Sequence, residues 1–209
     1  MNVPVWAAKL AASFWEQAGQ VESFPRKLLG PIANAVPLTL VFPPRPTIAS
    51  ILEWLRNSGI ACSLETPNRP LRACLFARNG HGFAFIDGTD SENEQRYSIA
   101  HELAHFLRDY LHQRRQIADR LGSTALEVLD GLRPPTSTER VHALLSSKSI
   151  GCHVHLMDRD TENRSLPHTV ATAEENADRL AFELLAPCED VAKSQATGLQ
   201  SGIVGLLVD

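Results

Sequence analysis

Residues 101–105 read His-Glu-Leu-Ala-His, a pattern whose side chains can bind a metal ion and activate water. On a helix, His101 and His105 lie one turn apart and project from the same face, so both imidazoles can reach one ion. Zinc held by three protein ligands keeps a fourth position for water and lowers the pKa of that water from about 15.7 to about 7. Glu102 lies between the two histidines and can accept the water's proton. The pentapeptide therefore predicts a hydrolytic site with one zinc ion per chain; the alternative is a solvated helix face that matches by chance.

A third ligand is expected downstream, where Glu174 and Glu175 are the two candidates. Glu174 is preferred because it stands four residues before Asp178, which places both carboxylates on one helix face. Glu174 can then reach the metal while Asp178 accepts a hydrogen bond from the second ring nitrogen of a ligand histidine. Glu175 stands four residues before Arg179, the spacing of a surface ion pair. For both glutamates the alternative is an ordinary acid in the first turn of a helix.

Three further features near the motif have a chemical and a structural interpretation. Tyr97 precedes the first histidine by one turn and is a candidate donor to a tetrahedral transition state, although an aromatic at this spacing usually packs. His153 and His155 alternate as in a strand and face the same way, which permits a second metal site or a donor; surface histidines are the favoured interpretation. The predicted strand at 82–86 can offer its edge to an extended peptide.

The paired histidines need a helix to position them, and the pattern from about Glu92 predicts one. Its apolar side comprises Ile99, Leu103, Phe106, Leu107 and Tyr110, and its opposite side carries His101, His105 and Arg108. This division indicates that the histidines do not fill the core. A last helix is predicted after Thr172, with an apolar face along Ala173, Ala177, Leu180, Ala181, Leu184 and Leu185, and Pro187 ends it.

The elements before the motif predict a small, mainly antiparallel sheet packed on helices, an α+β fold. An amphipathic helix ends at Gly19, and a buried strand spans 38–42. Thr47 is the expected N-cap of a helix that ends before Gly59. A short strand at 60–64 and a hairpin follow, with strands at 71–77 and 82–87 flanking Asn79-Gly80.

The chain is predicted to form one domain over 1–209. Within it we expect a helical segment at 1–37, the sheet and motif helix at 38–110, a long helical or irregular insert at 111–170, and the third-ligand helix with a tail at 171–209. The insert contains a predicted helix at 138–145 and an alternating run at 152–156.

Composition excludes several classes of protein. The formal charge of −4 over 209 residues is spread along the chain, so direct contact with nucleic acid is not expected. No apolar run is long enough for a membrane span and no signal peptide is evident, which favours the cytoplasm. The four cysteines are widely spaced and are expected to be reduced and mostly buried; they are Cys62, Cys74, Cys152 and Cys188.

Two segments of the sequence resemble the ImmA/IrrE family of bacterial metallopeptidases, and they occur in the family's order. The first runs from Arg96 to Phe106 around His-Glu-Leu-Ala-His, and the second runs from Glu174 to Pro187. The likeness extends more loosely over the sheet segment from about Leu38. The interval between the two segments is longer here than in compact members of the family.

The resemblance implies a zincin-like fold of the gluzincin type, in which His101, His105 and Glu174 bind zinc and Glu102 is the catalytic base. It also implies that the substrate is a protein, a helix-turn-helix transcriptional repressor whose cleavage releases genes for stress response. The rival function is a metal-bound sensor or antirepressor that holds its partner without cutting it. Glu102 argues against this rival, because a structural zinc site has no use for a base.

Overall fold

A computed structural model describes residues 3–19, 26–140, 152–159 and 168–196 of the chain. Contacts between Cα atoms divide the chain into two compact units. The first comprises Met1–Val36, Asp90–Ala104 and Asn163–Asp209, and the second comprises Pro37–Thr89 and His105–Glu162. The single domain expected over 1–209 stays a prediction. Among the described residues, no helix is both long and apolar enough to cross a membrane.

The second unit is built on a four-stranded sheet. Its strands are β1 (Leu38–Val41), β2 (Leu71–Arg78), β3 (His81–Ile86) and β4 (His153–Asp158), in the order β1-β3-β2-β4. β2 pairs antiparallel with both β3 and β4, whereas β1 and β3 are parallel. The α+β class is confirmed, and the sheet is mixed.

The β2–β3 hairpin has the predicted Asn79-Gly80 turn. Both turn residues have positive φ angles, 53° for Asn79 and 80° for Gly80, as the tightest hairpin turns require. Arg78 and His81 form the pair that closes the turn.

One face of the sheet packs against helix α3 (Ile48–Asn57). Thr47 caps this helix as predicted, accepting a hydrogen bond from the Ser50 amide while the Ser50 hydroxyl accepts one from the Thr47 amide. The shared core contains Ile48, Ile51, Leu55, Leu71, Cys74, Phe76 and Phe85. Burial of these apolar side chains supplies the main stabilisation of this face.

Two expectations about strands are wrong. Residues 60–64 pair with none of the four described strands. Their alternation was nevertheless informative, since Ile60, Cys62 and Leu64 all pack against the α3 core. The 82–86 strand has no edge to offer a peptide, because β3 lies between β1 and β2.

The region at 111–170 is not wholly helical or irregular, since it supplies β4. It also contains helices α5 (His112–Leu121) and α6 (Ala125–Leu129). Residues 137–140 are helical, as expected for the start of the 138–145 helix, and the rest of that helix lies outside the described residues.

The first unit is helical. It contains α1 (Val5–Ala18), α2 (Leu29–Ala35), most of α4 (Glu92–His105), α7 (His168–Leu185) and α8 (Cys188–Ala196). The α1 helix ends at Gly19, which has a φ angle of 73°, as predicted. The buried Trp15 indole donates to the Leu184 carbonyl at 3.2 Å, which joins α1 to α7. The α7 helix starts at His168, earlier than expected, so Glu174 and Glu175 lie beyond its first turn.

The motif helix begins with a capping box and continues beyond His105. Ser91 and Glu94 exchange side-chain and backbone hydrogen bonds just before and within the first turn. After His105 the backbone becomes a π-helical turn, π1 (Phe106–Leu111), before α5. π-Helical turns are rare in proteins, and those that exist are often found at functional sites.

Gly82 lets π1 approach the sheet closely. A Cβ atom on Gly82 would lie 2.6 Å from Cε2 of Phe106 and 2.7 Å from Cδ1 of Leu38. The approach is supported by the Gly80 amide, which donates to the Tyr110 hydroxyl at 2.7 Å. Phe106 follows His105 directly in the chain. The contact of Phe106 with Gly82 therefore helps to set the distance of His105 from the sheet.

We predict that Gly82→Ala lowers the free energy of unfolding by about 1–3 kcal/mol through overpacking against Phe106 and Leu38, measured by urea denaturation. Gly30→Ala is the matched control, because a Cβ on Gly30 meets nothing within 4 Å. The control should be neutral or stabilising by up to about 1 kcal/mol, since Gly30 lies in helix α2. Equal stability of Gly82→Ala and wild type would contradict the packing argument.

Candidate metal centre

The motif turn of α4 is almost inaccessible to solvent. His101 and His105 are 3% and 2% exposed, and Glu102 is 0% exposed. The face that carries the histidines is thus buried, and polar side chains such as Asp178 and Asp109 cover it. Burying charged or polar groups is costly unless hydrogen bonds compensate. The partners of these residues consequently define the site.

In the first unit, His101 lies between two carboxylates of α7. Its Nδ1 is 2.9 Å from Oδ1 of Asp178, and its Nε2 is 3.3 Å from Oε2 of Glu174. The Tyr97 hydroxyl donates to the same Asp178 oxygen at 2.5 Å. Burial by itself would raise the pKa of Asp178, but hydrogen bonds from His101 and Tyr97 outweigh it and lower the pKa.

An ionised Asp178 can only accept hydrogen bonds, so Nδ1 of His101 carries the proton. In the neutral imidazole, Nε2 then has a free lone pair directed toward Glu174. This is the tautomer a metal ligand needs, and carboxylates commonly fix it in this way. The hydroxyl of Tyr97 donates a hydrogen bond to Asp178 and so helps to hold that carboxylate in place. Its predicted role as a transition-state donor stays a prediction.

In the second unit, His105 has an equivalent carboxylate partner in Asp109. The His105 Nδ1 is 2.8 Å from Oδ2 of Asp109, whose Oδ1 accepts a hydrogen bond from Arg108 at 2.5 Å. Burial would raise the pKa of Asp109, but the bond from His105 and the charge of Arg108 lower it. The sequence analysis missed Asp109. Its position four residues after His105 was the available signal.

His155, for which the sequence analysis favoured a surface position, contacts one of the motif histidines. On β4, its ring stacks on that of His105, with centroids 3.8 Å apart and planes inclined by 24°. It is half-buried, so the interpretation as a surface histidine is wrong. The alternation of His153 and His155 was the available signal, because it places both rings on the side of the sheet that faces π1. On that side the ring centroids of His153 and Tyr110 are 6.3 Å apart.

Each unit contributes candidate ligand atoms: His101 and Glu174 lie together in the first, and His105 and His155 lie together in the second. Imidazoles and carboxylates suit zinc, which takes nitrogen and oxygen ligands at about 2.0–2.2 Å. An imidazole lone pair lies in the plane of its ring, however, and an ion in the plane of one stacked ring lies out of the plane of the other. His105 and His155 therefore cannot both bind one ion without one ring turning. The donor set fits a metal ion best with one of these two histidines as a ligand.

Glu175 is directed differently from its neighbour. Its carboxylate pairs with Arg179 one turn further on, at the exposed surface of α7. Glu174 is half-buried and faces His101. The structure thus brings His101, Glu174, Asp178 and Tyr97 together in the first unit.

Paired helical histidines, a buried glutamate between them and carboxylates on their outer nitrogens are features of a metallopeptidase-type site. Residues 64–127 match the model of the Peptidase_M78 family, described as the IrrE N-terminal-like domain. This match confirms the resemblance to the ImmA/IrrE family for the segment that carries the first motif. It covers less than half of the chain and does not reach Glu174. No curated protein and no solved structure matched the chain.

We predict that Glu174→Gln lowers the zinc bound per chain while Glu175→Gln leaves it unchanged, because only Glu174 faces Nε2 of His101. The measurement is plasma mass spectrometry on purified chains after dialysis against dilute zinc. The paired variants have the same change of charge on adjacent residues, so a general electrostatic effect would lower both equally. That equal loss would contradict Glu174 as a ligand.

We also predict that Asp178→Asn weakens zinc binding by about 10–100-fold, since it removes the acceptor that orients His101. Competition with a chromophoric chelator measures the affinity. Tyr97→Phe should have a smaller effect, because Asp178 keeps its bond to His101. A larger loss from Tyr97→Phe than from Asp178→Asn would overturn this order of roles.

Proposed function

We propose that this protein is a zinc-dependent peptidase that hydrolyses a peptide bond in a protein substrate, a helix-turn-helix transcriptional repressor in the cytoplasm. The observation that carries the proposal is a fully buried Glu102 between two histidines whose outer nitrogens each face a carboxylate. The family match over 64–127 supports peptidase chemistry. The repressor substrate rests on the resemblance to the ImmA/IrrE family.

His101, His105 and Glu174 would hold the ion, as the gluzincin arrangement requires. A bound zinc ion would polarise the scissile carbonyl and make water a nucleophile near neutral pH. Asp178 and Asp109 keep the histidines in the tautomer that leaves a nitrogen lone pair free. The burial of this turn excludes bulk water, which strengthens each electrostatic interaction within it.

Glu102 is the residue that moves protons in the proposed reaction. One of its carboxylate oxygens accepts a proton from the attacking water as the new C–O bond forms. The same proton is then delivered to the amide nitrogen as the C–N bond breaks, which yields an amine and a carboxylic acid that loses its remaining proton to solvent. General acid–base transfer of this kind contributes about 10²–10⁴-fold in rate.

We predict that Glu102→Gln retains zinc but reduces cleavage by at least about 10²-fold, because an amide cannot accept the proton. The assay incubates the chain with helix-turn-helix repressors of its own genome and detects new N-termini by mass spectrometry. Zinc content and circular dichroism of the variant control for loss of the site or of the fold. Undiminished cleavage by Glu102→Gln would sink the assignment.

The second candidate function is a sensor or antirepressor with a closed metal site, and the position of His155 favours it. Four protein ligands without a water position are typical of structural zinc. If the His155 ring turned away from its stack on His105, it could complete such a set. The observed stacking favours the open alternative, in which His155 lies beside the reaction and donates a hydrogen bond to the developing oxyanion.

His155→Ala separates the two candidates. For an open site we predict unchanged zinc per chain and a cleavage rate lower by about 10²–10³-fold, the usual cost of removing an oxyanion donor. For a closed site the variant would lose zinc. Relief of repression by Glu102→Gln at the wild-type level, together with zinc loss from His155→Ala, would establish the antirepressor instead.

A further inference from the structure

The two faces of β4 carry different chemistry. His155 projects from one face and stacks on His105, whereas Val154 and Leu156 project from the other and pack against the α3 core. Side chains alternate along an extended strand, so Cys152, which immediately precedes β4, falls on the Val154 face. The strand therefore connects the candidate metal centre to a cysteine on the opposite side of the sheet.

A second cysteine reaches the same place. Cys62 lies in the extended 60–64 segment after α3 and packs against the core that also holds Val154. The Cys152 thiol and the charge of Arg78, at the end of β2, both influence the pKa of the Cys62 thiol, as expected for neighbouring side chains. Cys62 is half-buried and Cys152 is exposed, so only Cys152 is open to a reagent in solvent.

The remaining cysteines show that this pairing is selective. Cys74 is buried and pairs in register with Leu156, four residues along β4 from Cys152. That separation is about 13 Å along the strand, well beyond the ~7 Å between Cα atoms that a disulfide tolerates. Cys188 belongs to the first unit. The expectation of mostly buried cysteines thus holds only for Cys74.

We propose that Cys62 and Cys152 form a redox site, in which a peroxide converts the two thiols into an intrachain disulfide that fastens β4 to the segment after α3. The Cys152 thiolate attacks a peroxide oxygen; an S–O bond forms, the O–O bond breaks, and hydroxide leaves. Cys62 then attacks the sulfenic sulfur; the S–S bond forms and water leaves. The two thiols lose two electrons in total, and hydrogen peroxide is reduced to two molecules of water.

The order of the two thiols follows from their surroundings. Burial is the largest cause that raises the pKa of Cys62, and the neighbouring Cys152 adds to it. A thiol with a raised pKa reacts slowly with peroxide in solution but is held against its partner once Cys152 has been oxidised. The product would restrain the strand that presents His155 to His105, and so would couple oxidation to the candidate metal centre.

The test treats the full zinc-loaded chain with a small excess of hydrogen peroxide, blocks free thiols with N-ethylmaleimide and digests with trypsin without reduction. Each cysteine falls in its own tryptic peptide, at 57–72, 73–78, 149–159 and 180–193. We expect peptides 57–72 and 149–159 to be joined, with a mass two hydrogens below their sum. The other two should carry the maleimide.

The matched variants are Cys62→Ser and Cys188→Ser. Cys188→Ser should form the linked pair as wild type does, whereas Cys62→Ser should leave Cys152 as a sulfenic acid that dimedone traps. In the oxidised wild type, backbone amides of 153–158 should exchange with deuterium more slowly than in the reduced chain. The proposal is overturned if Cys152 links to another cysteine or another chain, or is oxidised to the sulfinic acid while Cys62 stays blocked. None of these readouts depends on peptidase activity.

Discussion

Burial of the motif turn is the constraint on which the site depends. Imidazoles and a carboxylate removed from water destabilise a fold unless hydrogen bonds or a cation compensate. Here each histidine has its own carboxylate, Asp178 for His101 and Asp109 for His105. These hydrogen bonds also determine which ring nitrogen can bind a metal ion. A nitrogen that donates to a carboxylate leaves the other nitrogen of the neutral ring as an acceptor.

The sheet positions the second histidine through one close approach. Gly82 leaves room for the ring of Phe106, and the Gly80 amide bonds to Tyr110 on the same helical stretch. The π-helical turn at 106–111 lies at this contact and also contains Asp109. Residues 106–111 therefore contribute both to packing against the sheet and to the geometry of the site. A shift of π1 relative to the sheet would move Asp109, the hydrogen-bond partner of His105.

Much of this arrangement could be predicted from local signals. The hairpin at Asn79-Gly80 and the capping of α3 by Thr47 each follow from residue types at a fixed spacing. The preference for Glu174 over Glu175 relied on one-turn spacing, and the observed contacts of both agree with it. Signals of this kind act within a few residues, where geometry is nearly fixed by the backbone.

The errors share a different origin. The 60–64 segment has the alternation of a strand but pairs with none of the described strands, and β4 comes from a region expected to be helical or irregular. Pairing depends on which edges other segments already occupy, and the sequence of one segment does not contain that information. The contact of His155 with His105 could not be predicted for the same reason, since the two residues are distant in sequence.

Charge gives the strongest physical reason to expect a cation. Glu174 and Asp178 both contact His101, and the charge of Glu174 raises the pKa of Asp178, which is the effect of like-charge repulsion. The hydrogen bonds from His101 and Tyr97 nevertheless lower the pKa of Asp178. The first unit thus holds two carboxylates on either side of one buried imidazole. A divalent ion at Nε2 of His101 would relieve this repulsion without disturbing any hydrogen bond to Asp178. The arrangement that orients His101 therefore also favours a bound metal ion.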